Sequence, residues 1–135
     1  MYELVIHSGF SAAHRLRDYD GDCENLHGHN WKLDVVLSAP SLDDSGMVCD
    51  FRLVKRHLAT VTDRLDHKYL NELPAFTRDN PTTEHVARFI AAELDKLLPE
   101  GVAVARVTAW ESDDSGATYI NSKVATRNSK VKGDP

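Results

Sequence analysis

The chain has 135 residues, 41% of them hydrophobic and 27% charged, with a formal net charge of -5. That length suits one domain with a real core, and the negative balance argues against nucleic acid, which wants a concentrated basic face. No apolar run approaches the roughly 20 residues of a membrane span.

Met1 to His7 shows neither a basic n-region nor a long apolar h-region, so no signal peptide is expected and the cytoplasm is the default compartment. Tyr2, Leu4 and Ile6 alternate with Glu3, Val5 and His7, which predicts a strand. The pattern resumes after Ser8 as Phe10 to His14, and Gly9 is expected to mark a bulge in one long strand. His14 shares a side with Phe10 and Ala12 and so faces inward. Alone, an inward histidine is more often a hydrogen-bonded core residue than a ligand.

Arg17 to Asn25 is polar, contains Gly21 and Cys23, and reads as a loop between antiparallel strands. Trp31, Leu33, Val35 and Leu37 then alternate with Asn30, Lys32 and Asp34, giving a strand from about Gly28 to Ala39 that Pro40 ends. Residues two apart on a strand point the same way, so His27 and His29 project together where it begins, with no side chain on Gly28 between them. Such a pair is either two surface histidines near a loop or, with His14 of the preceding strand as the natural third, the protein ligands of a catalytic zinc site that keeps one position open.

Asp43 to Gly46 is a turn and Asp50 a helix N-cap. Phe51, Val54, Leu58, Val61 and Leu65 recur at helical spacing and predict the first helix, followed directly by Asp66 and His67. Residues 72–82 read as a loop, and Asn80 to Glu84 as the start of a second helix with Val86, Phe89, Ile90, Leu94, Leu97 and Leu98 as its stripe. A third strand covers about Val102 to Glu111 and a fourth Ala117 to Ser122. The order is α+β, with both helices over one sheet face in a single domain of residues 1–122; residues 123–135 read as a polar, disordered tail.

Three further features carry chemistry. Cys23 lies four residues before His27, between Asp22 and Glu24. Beside a cation its thiolate is either a base or a fourth metal ligand. Cys49 sits in an apolar run, as structural cysteines do. Asp66 beside His67 is either a proton-transfer pair or a decorated helix end. Glu111, after Trp110 at a strand end, can accept two parallel hydrogen bonds from an amidine-like ligand edge.

Phe10 to His14, Cys23-x-x-x-His27-Gly28-His29, Gly46 to Phe51, Leu65 to Asn71, Asn80 to Glu84 and Trp110-Glu111 stand in an order and spacing that resembles the 6-pyruvoyltetrahydropterin synthase family. The three residues between Cys23 and His27 are most similar to its bacterial 6-carboxytetrahydropterin synthase branch. The resemblance runs from about Tyr2 to Tyr119. It implies the tunnelling fold: a four-stranded antiparallel sheet with two helices on one face, closed by three subunits into a barrel and stacked as a homohexamer with sites between subunits. It implies 7,8-dihydroneopterin triphosphate as substrate and 6-carboxytetrahydropterin, an intermediate toward queuosine, as product. It further implies one zinc per subunit on His14, His27 and His29 to polarise side-chain hydroxyls. Cys23 would be the base, Asp66 and His67 the partner acid/base pair, and Glu111 the pterin anchor. The alternatives are the pyruvoyl synthase reaction and a non-catalytic zinc or pterin binding module. A zinc hydrolase is disfavoured, since no helical His-Glu-x-x-His occurs.

Overall fold

The computed structural model describes residues 1–17 and 25–124. Strand β1 runs over Tyr2–His14 and β2 over His27–Ala39; helix α1 covers Phe51–Thr62, the two-residue strand β3 Lys68–Tyr69, and α2 Thr83–Asp95. Strands β4, Ala103–Ser112, and β5, Ser115–Ile120, close the order. The sheet reads β3-β1-β2-β4-β5. Its four long strands are antiparallel neighbours, as expected, while β3 adds a fifth strand parallel to β1 through Ala12 and Ala13.

Period-two alternation explains the layering. Ile6, Phe10, Trp31, Leu33 and Val107 turn to one face and pack with Val54 and Leu58 of α1 and Ile90 and Leu94 of α2 in one buried cluster. On the face opposite α1 and α2, Val36 and Ala105 bury Val124, which lies in a helical segment at 122–124 within the stretch read as tail; residues 125–135 of that tail lie outside the described residues. Cys49 is buried, and burial together with Asp50 and Asp43 pushes its thiol pKa up.

Caps set both helix starts. The Asp50 carboxylate accepts from the Arg52 N–H at 2.8 Å, and the Thr82 hydroxyl accepts from the His85 N–H at 3.1 Å. Each helix stops short of its sequence stripe: Leu65 is buried from the turns after α1, and Leu97 lies beyond α2, 38% exposed. Residues 72–82 hold a short 3-10 turn, Pro74–Phe76, that inserts Phe76 into the core. Among the described residues no helix is long and apolar enough to cross a membrane.

The expected bulge at Gly9 is absent. β1 pairs with β2 in unbroken register from Tyr2 opposite Ala39 to His14 opposite His27. The glycine serves a close approach, since a Cβ there would stand 2.7 Å from the Trp31 carbonyl oxygen. At Gly28 the nearest atom to such a Cβ is the Ala12 carbonyl oxygen at 3.8 Å, an ordinary contact. Gly9→Ala should therefore cost about 1–3 kcal/mol in urea unfolding, and Gly28→Ala about 0.5 kcal/mol or less. Equal shifts would contradict this reading of the two positions.

Candidate metal centre and active site

The strand register builds the site. His14 ends β1 directly opposite His27, the first residue of β2, and His29 follows two positions on. Glu111, near the end of β4, is in phase with the buried Val107 and Ala109 and turns to the same face. The His14 Nε2 lies 3.1 Å from the His27 Nε2 and 3.0 Å from the Glu111 Oε1. The His29 Nε2 is 3.1 Å from the same carboxylate oxygen, and all four donor atoms fall within 4.8 Å of one another. Trp31, 1% exposed, floors the cluster with its ring edge-on to His14 and His29.

Backbone carbonyls fix two of the rings. The His14 Nδ1 donates to the Pro81 carbonyl at 2.7 Å, and the His27 Nδ1 to the Asn25 carbonyl at 2.6 Å. A carbonyl can only accept, so in each neutral ring the proton sits on Nδ1 and Nε2 turns a lone pair into the cluster. A proton between the two Nε2 atoms would charge one ring. The His29 Nε2 approaches Glu111 without hydrogen-bond alignment and is the one buried side-chain polar atom lacking a partner among the described residues. Burial lowers the His29 pKa, against the raising pull of Glu111, and His14 and His27 lower it further. Inward lone pairs, an unpartnered nitrogen and one carboxylate fit a bound cation, so the four residues could hold a metal ion. The sequence reading missed Glu111 as a member, although its phase with Val107 and Ala109 was readable.

Asp66 and His67 attach to the outer edge of β1. The Ser11 N–H donates to the Asp66 Oδ1 at 2.9 Å, and the His67 N–H donates to the Ser11 carbonyl. The Asp66 Oδ2 lies 3.0 Å from the His67 Nδ1. His67 itself holds a left-handed backbone, φ 58°, a strained state for a residue with a Cβ. Its side chain is 81% exposed. An open groove of about 500 Å³ is lined by Ser11, Gly28, His29, His67 and Lys68 among others, while His14, His27 and Glu111 are not on its wall. Cys23 lies outside the described residues. Of the cations near the site, Arg17 is committed to the Phe76 and Asp79 carbonyls and Lys32 to Asp113, while Lys68 lines the groove.

The model of the 6-pyruvoyl tetrahydropterin synthase family matches residues 3–122. The chain belongs to this family. A 6-carboxy-5,6,7,8-tetrahydropterin synthase from Synechocystis is 34% identical over 93% of this chain and 98% of its own. A dihydroneopterin monophosphate aldolase from Pyrococcus furiosus is 34% identical over 84% of this chain and 92% of its own. The solved 6-pyruvoyl tetrahydropterin synthase of Caenorhabditis elegans superposes with a TM-score of 0.81 at 29% identity, over 89% of this chain and 95% of that one. Its likeness gives the family's tunnelling fold to this sheet-and-helix layer. Relatives at nearly equal distance thus carry three different reaction names.

The Ser11 N–H, and after it His67, holds the Asp66 carboxyl below its ordinary pKa of 3.8. A lowered folded pKa adds stability that is present above the unfolded value and lost as pH falls through the folded one. Asp66→Asn should lower the urea midpoint at neutral pH and flatten the acid limb. An acid limb as steep as wild type would contradict the pairing.

Proposed function

We propose that this protein is a zinc-dependent lyase that converts 7,8-dihydroneopterin triphosphate to 6-carboxy-5,6,7,8-tetrahydropterin, with loss of triphosphate and acetaldehyde. It would act in the cytoplasm, on the route to queuosine and other 7-deazapurines. The observation that carries the reading is the cluster of His14, His27, His29 and Glu111, of which His29 also lines the groove that His67 lines.

Three imidazoles and an open position suit zinc, which when bound supplies a Lewis acid to the substrate's side-chain hydroxyls. His14 and His27 are held for this by their carbonyl partners. Glu111 would accept from the pterin amino group and ring N–H in parallel. In that role it would leave the cluster, where its Oε1 lies 3.0 Å from the His14 Nε2 and 3.1 Å from the His29 Nε2, so that the fourth position stays open to substrate. Asp66 holds the His67 Nδ1 proton, which leaves the His67 Nε2 to take or return a proton at the substrate side chain. Cys23 as thiolate would be the other base.

The exposure of His67 supports a site completed by a second subunit. So do Val5, 54% exposed, and Ile120, 60% exposed, on the sheet face opposite α1 and α2. A barrel of three subunits, stacked as a hexamer, would cover that face and pair the edges.

A second reading, aldol cleavage of the monophosphate, is favoured by the P. furiosus relative and by Lys68 being the one of these four cations (Arg15, Arg17, Lys32, Lys68) that lines the groove. Incubation with dihydroneopterin triphosphate, and separately with the monophosphate, followed by mass spectrometry decides. We expect 6-carboxytetrahydropterin and acetaldehyde from the triphosphate. A product that keeps the carbon chain would mean the pyruvoyl reaction, and turnover of the monophosphate alone would mean the aldolase. Cys23→Ala should keep its zinc and lose turnover by orders of magnitude, and mixed oligomers with His67→Ala should regain some; loss of zinc would make Cys23 a ligand.

A further inference from the structure

Beyond the end of β1 its outer edge is continued by two asparagine side chains. The Arg15 N–H donates to the Asn71 Oδ1 at 2.9 Å, and the Arg15 carbonyl accepts from the Asn71 Nδ2 at 2.7 Å. The Arg17 N–H donates to the Asn80 Oδ1 at 2.8 Å, and the Arg17 carbonyl accepts from the Asn80 Nδ2 at 2.8 Å. Each carboxamide offers one acceptor and one donor toward one residue's backbone, as a pairing strand would. The proposed chemistry has no use for either asparagine, although both stand in the sequence motifs, Leu65 to Asn71 and Asn80 to Glu84.

The two clamps differ in what they carry. The Asn80 carbonyl accepts from the Thr82 N–H at 2.8 Å and from the His85 Nδ1 at 2.6 Å, which ties it to the first turn of α2. Its side chain holds the far side, through Arg17. Between these attachments lies the buried Pro81, whose carbonyl accepts the His14 Nδ1 proton. Proline has no N–H with which to pair its own backbone, so the direction of that carbonyl is set by its neighbours.

We infer that Asn80 is the positioning residue of the metal centre. By clamping Arg17 to its own loop it holds the Pro81 carbonyl on the His14 Nδ1, and so keeps the His14 Nε2 turned toward His27, His29 and Glu111. Without that carbonyl the His14 proton is free to move to Nε2, where a ring nitrogen can no longer ligate. The inference rests on the metal reading of the cluster and is independent of which pterin is the substrate.

The test is the zinc dissociation constant of the full-length protein, measured by competition with a chromophoric chelator, with circular dichroism to verify the fold. Asn80→Ala should weaken zinc binding by about 10–100-fold, the usual effect of losing an outer partner of a histidine ligand. Asn80→Asp keeps the acceptor for the Arg17 N–H and should fall between that variant and wild type. Asn71→Ala removes the same two hydrogen bonds at Arg15 but leaves the Pro81 loop, and should stay within about threefold of wild type. Unchanged affinity in Asn80→Ala would overturn the inference, and so would an equal loss in Asn71→Ala. Should the alanine variant fail to fold, unchanged affinity in Asn80→Asp overturns it. A wild-type protein that takes up no zinc would sink the metal reading and this inference with it, a result distinct from either.

Discussion

The pairing of β1 with β2 sets His14 across from His27, and the site depends on that register. Adjacent positions on a strand face opposite sides, so a slip of one residue would carry His27 and His29 to the face away from α1 and α2. Two contacts pin the pairing next to the site. Gly9 lets the strands close where a Cβ would strike the Trp31 carbonyl. Trp31 stacks on Phe10 with ring centroids 5.8 Å apart, and its indole N–H reaches the Ala12 carbonyl at 3.3 Å. The apolar core and the histidine cluster are therefore one construction, with Trp31 as the floor of the second and part of the first.

The outer edge of the same strand holds the Asp66–His67 pair. Ser11 receives it with both its N–H and its carbonyl, three residues before His14. Acid/base pair and candidate metal ligands are thereby fixed to one strand, and their spacing changes little unless β1 itself deforms. The left-handed backbone at His67 costs on the order of 1–2 kcal/mol. The hydrogen bonds to Ser11 on either side of the turn offset it. Strain of this kind collects where a side chain must be aimed, and His67 is aimed outward.

The long elements were legible because they carry a period: Trp31 to Leu37 alternate, and Val54, Leu58 and Val61 recur by threes and fours. Two residues carry no period, so β3 was not readable, and its pairing depends on the distant Ala12 and Ala13. The Gly9 expectation failed although Tyr2 to His14 never lose phase at the even positions, which an extra residue would have forced. At the site, the histidines followed from parity alone. The Pro81 and Asn25 carbonyls could not, because backbone atoms leave no residue-type signature. Glu111 was legible as a strand-end acid, but its meeting with His14 and His29 needed the registers of β2 and β4 together.

The central claim is that the cluster is a metal centre, and diffraction from crystals of protein purified without chelator tests it directly. Data collected on both sides of the zinc absorption edge should show one anomalous peak per subunit, about 2.0–2.1 Å from the Nε2 atoms of His14, His27 and His29. A cluster with no anomalous density, its imidazoles and the Glu111 carboxylate joined only by shared protons, would contradict the account.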